Sequence, residues 1–294
     1  MEAIDEDKKL VFEGFSYFFR EISCTDRSAR RKYPLILLSG AFQDMNSWRR
    51  YVNAFKNEYT IILLDLPGTG KSDFLPETYG LEFMTNALLN VVANLDTEKV
   101  EIVAVSYGTP IGYSFAKKFP QKIAHLVLCG TMRKIPDDKW EATAHTVKTL
   151  SENNMHEFVM QVLNSLTYRE QPEKINNFYL VERILYSCLL KMNDDFKLRF
   201  AENTRRLLMH APLDISSKMN TRTLVMTGEY DVFTRPEYCK EIARSIENSI
   251  FLTIRNADHL FHLEQFDATE QIIRNFLQDK PLENMAEIKE IEYL

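Results

Sequence analysis

The chain has 294 residues, 45% of them hydrophobic and 27% charged, a composition that excludes disorder, collagen and coiled coil and supplies apolar material for a sizeable core. The formal net charge is −6, with no run of Lys and Arg long enough to neutralise a track of phosphates, which argues against nucleic acid as a partner. At about 150 residues per domain, the length suits two units or one α/β domain with a large insertion.

The N-terminus, MEAIDEDKKL, is acidic where a secretory signal would be basic and then apolar. No later stretch approaches the ~18–20 consecutive apolar residues that span a bilayer. Cys24, Cys129, Cys188 and Cys239 lie far apart, with no Cys-x-x-Cys pair and no histidine at metal-ligand spacing. Reduced thiols in a cytoplasm, without metal or cofactor, are the expectation.

In chain order, residues 10–23 (LVFEGFSYFFREIS) are aromatic with some alternation and predict an antiparallel hairpin. Apolar runs follow at 34–38, 59–65, 100–105, 123–129, 223–226 and 250–254, and Gly40, Gly68, Gly108, Gly130 and Gly228 stand just beyond the first five. Continuous short runs of this kind read as strands buried on both faces, as in a parallel sheet covered by helices. Helical spacing appears at 81–95, at 107–119, where Pro120 ends it, and at 267–278. The whole predicts a doubly wound, mostly parallel α/β sheet.

Between Thr131 and Ser217 the strand-helix alternation breaks, and glycine is absent from Thr131 to Thr227. Phe158, Val159, Val162, Leu163 and Leu166, then Phe178, Val181, Leu185 and Leu189, keep helical spacing, so the insert is expected to be several amphipathic helices. This places a helical cap at 136–216, an α/β core at 1–135 and 217–280, and a tail at 281–294. The tail carries Leu282, Met285, Ile288, Ile291 and Leu294 at a spacing of three, which fits a short docked helix, a frayed end or an oligomer contact.

Chemistry concentrates where strands end. In VEIVAVSYGTPIG, residues 100–112, an apolar strand runs into Ser106 and then a helix. A turn tight enough to lift the serine above the strand needs small residues two before and two after it, and Ala104 and Gly108 supply them. The Tyr107 backbone N–H then faces any negative charge developing beside Ser106; the plain alternative is a serine that caps a helix. Of the six histidines, His125 lies inside a strand and His145, His156 and His210 lie in the insert. His259 and His262, in NADHLFHLEQ, follow the last apolar run, and His259 comes first after the turn residues and is the candidate base. His262 reads as a helix-start or cap-contacting residue, and the pair lacks a third ligand for a metal. The orienting carboxylate is best sought in Gly228-Glu229-Tyr230-Asp231, with Asp231 favoured, Glu229 the competitor and Asp258 set aside because adjacent side chains usually diverge. Thr234 to Glu237 reads as a capping box opening the next helix.

With Ser106, Asp231 and His259 in that order, the chain from about residue 9 to 280 resembles the α/β-hydrolase superfamily, cap included. Ala104-Val105-Ser106-Tyr107-Gly108 matches its G-x-S-x-G elbow with alanine in first place. The resemblance implies a second oxyanion donor from the loop Ser39-Gly40-Ala41-Phe42-Gln43, at Ala41 or Phe42, with Ala41 favoured, although the family's frequent His-Gly start is missing. Gly70-Lys71-Ser72 ends as a phosphate-cradling loop does, but Asp65 stands where that motif needs glycine. Asp65, Gly68, Gly70 and Ser72 instead resemble a structural turn of the family. The expected activity is hydrolysis of a carboxylic ester or thioester through an acyl-enzyme, on a small-molecule or acyl substrate of apolar character; Met155, Phe158, Met160, Phe178, Tyr179 and Tyr186 would suit an apolar acyl group, the plainer reading for most of them being that they pack the cap on itself. C–C bond hydrolysis, acyl transfer to another acceptor, cofactor-free oxygen chemistry and a non-catalytic ligand receptor are the alternatives.

Overall fold

A computed structural model of the chain describes residues 7–294; the first six, which open the acidic N-terminal stretch and the 1–135 segment, lie outside the described residues. The expected hairpin is present as β1 (Asp7–Phe12) and β2 (Phe15–Ile22), paired antiparallel. There follow β3 (Leu35–Leu38), a 3-10 turn leading into α1 (Arg49–Phe55), β4 (Ile61–Asp65), α2 (Leu81–Ala93), β5 (Val100–Val105), α3 (Gly108–Lys118) and β6 (Ile123–Cys129). Four helices intervene, α4 (Asp137–Ser151), α5 (Met155–Leu166), α6 (Phe178–Leu190) and α7 (Asp194–Met209). The chain then returns through β7 (Arg222–Gly228), α8 (Pro236–Arg244), β8 (Ser249–Ile254), the short α9 (Phe261–Glu264), α10 (Phe266–Leu277) and β9 (Ile288–Tyr293).

Among the described residues the strands form one sheet in the order β1-β2-β4-β3-β5-β6-β7-β8-β9. The central strands from β4 to β8 run parallel, and antiparallel pairs complete both edges. Their continuous apolar runs have a direct physical cause, since alternate residues of a strand face opposite sides and here both sides are covered. Ile36, Leu38, Ile102, Ala104, Leu126 and Leu128 share one core with α2, α3 and α8, while Leu35, Leu37, Val103, Val105, Val127 and Cys129 share another with α1 and α10. The inserted helices hold a third cluster of their own, centred on Phe158, Val159, Val162, Leu163 and Leu189.

The order places a topological switch between β3 and β5, because the connection leaving β3 passes to α1 on one face and that leaving β5 to α3 on the other. The loops at their carboxyl ends diverge there, and the crevice between them is where open α/β sheets bind ligands.

The tail adopts the opposite conformation to that suggested by its spacing of three. Ile288–Tyr293 is a strand, antiparallel to β8 with Ile291 opposite Leu252. An unpaired edge strand offers a row of N–H and C=O groups, and satisfying them outweighs a weak helical pattern. Leu282 still buries fully, with Met285, Ile288 and Ile291 packed on the same core. No helix among the described residues is long and apolar enough to cross a membrane.

At the end of β7, a Cβ on Gly228 would lie 2.2 Å from Asp258 O and 2.5 Å from Ala257 O. Both contacts are with backbone, so the neighbouring loop itself would have to move. Gly228→Ala is therefore expected to cost at least about 3 kcal/mol, the upper end for overpacking, read as a fall in midpoint on denaturant unfolding; an unchanged midpoint would show that the two loops are not held this closely.

Candidate active site

The site is built on the strand-helix turn after β5. Ser106 sits at φ +46, a left-handed conformation that costs a non-glycine residue roughly 1–3 kcal/mol and persists only when its surroundings over-determine it. Here Ser106 N donates to Cys129 O at 2.9 Å, extending the β5–β6 ladder, while Ser106 O accepts from Thr109 N at 2.9 Å and Thr109 Oγ1 at 2.7 Å. The small residue at 108 is explained by β3, because any Cβ there would come within 2.9 Å of Leu38.

The structure brings the three sequence-selected side chains together from loops that are remote in sequence. His259 Nε2 lies 3.1 Å from Ser106 Oγ, and His259 Nδ1 lies 2.9 Å from Asp231 Oδ2. Asp231 follows β7 and His259 follows β8, adjacent parallel strands paired as far as Gly228 and Ile254. Asp231 is buried, yet its carboxylate is fully engaged: Oδ1 accepts from the backbone N–H of Phe233 (2.8 Å) and Thr234 (2.7 Å), and Oδ2 from the hydroxyls of Thr227 (2.7 Å) and Thr234 (2.6 Å). Burial alone would raise its pKa, but the imidazole's charge and the hydrogen bonds from His259, Thr234 and Thr227 outweigh it, leaving the carboxyl below its ordinary range. His259 shows the mirror image, with burial lowering its pKa and the Asp231 charge and hydrogen bond raising it further, to a net position above 6.5.

Thr234 departs from its expected capping role. Its hydroxyl turns to Asp231 and stands 3.1 Å from His259 Nδ1, while α8 begins at Pro236 without a side-chain cap. A buried carboxylate is the stronger acceptor, so it takes the hydroxyl that a helix terminus would otherwise use. Gly130 makes room for this arrangement: it sits at φ +68, and a Cβ there would approach Thr234 Oγ1 at 2.9 Å and His259 Cε1 at 3.1 Å.

The other candidates separate cleanly. Glu229 accepts from Asn256 N at 3.0 Å and pairs with Lys289. Asp258 is fully buried but turns away from the adjacent imidazole, accepting from Tyr168 N and Leu260 N at 2.9 Å each. The side chain of His262 is buried, Nδ1 has no hydrogen-bond partner, and burial depresses its pKa to about 3. Asp65 serves its own turn, accepting from Met45 N (2.8 Å) and Lys71 N (3.3 Å), while Ser72 Oγ donates to its carbonyl.

The loop after β3 closes against the elbow. Gly40 N donates to Gln43 Oε1 at 2.9 Å, and Gly40 lies so near that an added Cβ would be 3.7 Å from Ser106 Cβ. Ala41, Phe42 and the elbow residues Ser106 and Tyr107 all line a cavity of about 610 Å³ roofed by the inserted helices. Its apolar wall comes from Val162, Leu166, Leu185, Leu189, Met192 and Phe200. None of the six aromatic and methionine residues that the sequence offered for an acyl group lines it, and the alternative, that most of them pack the insertion on itself, fits better. Phe158 is fully buried in the insertion's own core, with Met155, Met160 and Tyr186 packed around it, and Tyr179 faces solvent. Helical periodicity identifies an apolar face without revealing which part of it meets a neighbouring helix and which a void.

A family model for the alpha/beta hydrolase fold matches residues 33–266, and the chain belongs to that family. It is 22% identical over 267 residues to a serine hydrolase-like protein of Danio rerio, covering 83% of this chain and 81% of that protein. It is 23% identical over 259 residues to 2-hydroxy-6-oxononadienedioate/2-hydroxy-6-oxononatrienedioate hydrolase of Escherichia coli K12, covering 83% and 86% respectively. Among solved structures, MGS-M2, an alpha/beta hydrolase enzyme from a Medee basin deep-sea metagenome library, superposes with a TM-score of 0.80 at 18% identity over 95% of this chain and all of that one.

The two buried histidines are predicted to have their pKa values displaced in opposite directions from 6.5. In an imidazole-resolved NMR titration, His259 should take up its proton above pH 6.5 and His262 should stay neutral down to about pH 3; a His262 that titrates near its ordinary value would contradict the burial described.

Proposed function

We propose that this chain is a serine hydrolase cleaving carboxylic esters or thioesters of apolar acyl groups through an acyl-enzyme. The observation that carries the reading is the unbroken hydrogen-bonded line from Ser106 Oγ through His259 to Asp231 at the floor of a largely apolar cavity. His259 Nε2 takes the Ser106 proton as Oγ attacks the substrate carbonyl, and Asp231 holds the ring and favours the imidazolium that forms. The backbone N–H groups of Tyr107 and Ala41 receive the oxyanion. The imidazolium then protonates the departing alcohol or thiol, and water, deprotonated by the same histidine, releases the acid. The helical insertion, residues 136–216, is the cap that shapes the acyl site. The four thiols are unpaired, as suits a protein working in the cytoplasm.

Carbon–carbon bond hydrolysis is the nearest rival, since the Escherichia coli relative is named for dioate substrates. A dicarboxylate needs cationic or multiply hydrogen-bonding anchors. Among its described lining residues the cavity holds one ammonium, the exposed Lys191, and no arginine, and its polar side chains, among them Gln43, Thr143, Thr146 and Asn193, are set in a mostly aliphatic and aromatic wall. A neutral, apolar acyl group fits that wall better. Acyl transfer to another acceptor and a receptor without turnover share the geometry and are separated by assay.

A fluorophosphonate probe should add covalently to Ser106, and p-nitrophenyl esters and acyl thioesters should turn over with a preference for longer acyl chains. A folded protein that remains unlabelled would point to a receptor. His259→Ala should lower kcat by roughly four orders of magnitude, whereas His262→Ala should leave most activity; equal losses would exchange their roles. Because a protonated His259 cannot accept the serine proton, kcat/KM should fall as pH drops through a pKa above 6.5, while Asp231, held below its usual range, stays ionised throughout. A rate that rises toward acid would remove His259 as the base.

A further inference from the structure

One side of α7 fastens the insertion to the loop between β4 and α2. Arg199 Nη1 donates to Ser72 O at 2.7 Å, Glu202 Oε2 accepts from Glu77 N at 2.8 Å, and Asn203 Nδ2 donates to Gly68 O at 3.1 Å. These residues and Arg206 follow the i, i+3, i+4, i+7 spacing of a single helix face. Arg206 differs from the rest in being 1% exposed. Its guanidinium donates to the carbonyls of Leu75 and Pro76 at 2.9 Å each, to Tyr79 O, to Asn203 Oδ1 and, from Nη1, to Tyr107 Oη at 3.1 Å. All five acceptors are neutral, and no carboxylate lies within ion-pair distance of it among the described residues.

Burying a cation without a counter-charge is expensive unless dipoles surround it, and an arginine whose role was only to tie a helix to a loop could be replaced by a neutral donor. What distinguishes this one is its contact with the elbow. Tyr107 is buried, and its hydroxyl accepts from Arg206 and donates to Asn203 Oδ1 at 3.1 Å, so both ends of the residue are held: the ring by α7 and the backbone by the turn beside Ser106. The backbone N–H of Tyr107 is the donor that the hydrolase reading aims at the oxyanion.

We propose that Arg206 is a positioning residue for acyl transfer, holding Tyr107 and its backbone N–H in register with Ser106 through the Tyr107 hydroxyl. This rests on the assignment of Ser106 as nucleophile. The inserted helices would then do more than shape a pocket, since the catalytic geometry of the elbow depends on a residue that they supply. The effect is mechanical, passing through the Tyr107 hydroxyl to its backbone N–H, and acts on the transition state more than on the bound ester.

Three variants separate this positioning from simple packing: Tyr107→Phe, which removes one hydroxyl, Arg206→Lys, which keeps the charge without the fork, and Arg206→Met, which removes both. Each is titrated with a fluorophosphonate to count competent sites and assayed for kcat, KM and the Ki of a trifluoromethyl ketone, whose adduct places an oxyanion beside Tyr107. Tyr107→Phe and Arg206→Lys should each lower kcat by roughly tenfold, the worth of a charge-assisted hydrogen bond, with KM changed by no more than about twofold. Arg206→Met should lose more. Ki should weaken in proportion to the fall in kcat/KM, and the Tyr107→Phe/Arg206→Lys double variant should be little worse than the poorer single one. Parental kcat in Tyr107→Phe, losses confined to KM, or an unchanged Ki would overturn the proposal. Should Arg206→Met fail to fold, Tyr107→Phe still decides. A parent protein that leaves Ser106 unlabelled rejects the hydrolase reading itself, whereas a labelled parent with a fully active Tyr107→Phe rejects only the role of Arg206.

Discussion

The buried pair of Asp231 and His259 is the interaction around which the site is arranged. A carboxylate and an imidazole removed from water each favour their neutral forms, and each is returned toward its charged form chiefly by the other. The contact of 2.9 Å between Nδ1 and Oδ2 therefore orients the ring and also supports the protonation states that the proposed chemistry needs. It is supported in turn by the two backbone N–H groups and two threonine hydroxyls that saturate Asp231. The sheet is what makes such a contact available: β7 and β8 end side by side in parallel register, so their following loops emerge together at one edge, beside the strained turn at Ser106.

Around that pair, the structure divides polar from apolar surroundings sharply. Hydrogen-bonding capacity is concentrated behind His259, in Asp231, Thr227 and Thr234, whereas the space in front of Ser106 is walled mainly by aliphatic and aromatic side chains of the insertion. His262 fits the same division, since burial keeps it uncharged. The proposed preference for a neutral acyl group rests on that predominantly apolar wall.

The insertion also belongs to the site mechanically. It is stitched to the sheet domain on two flanks, by α7 to the loop after β4 and by Tyr168 N, Asn176 N and Asn177 Nδ2 to the segment from Asn256 to Glu264. The second flank carries His259 and the first, through Arg206, reaches Tyr107. The proposed base and the proposed oxyanion donor thus both feel the placement of the inserted helices, a coupling that no local sequence pattern discloses.

What could be read from the sequence was whatever depends on neighbours along the chain. Strands buried on both faces announce themselves as short apolar runs, the elbow as a serine between Ala104 and Gly108, and the positions of Asp231 and His259 as polar residues just past strand ends. The family, the fold class and the residues that meet at the site all follow from such local signals. Contacts between segments far apart in sequence were settled only in three dimensions: the tail pairing with β8 despite its spacing of three, Thr234 turning from a helix terminus to Asp231, Val162, Leu185 and Phe200 forming the cavity wall while Phe158 and its neighbours pack the insertion on itself, and Arg206 reaching across to Tyr107. In each case a polar or apolar group had more than one satisfactory partner, and packing chose among them, because burial energy depends on which surfaces meet and a periodic pattern specifies only that some surface must be covered.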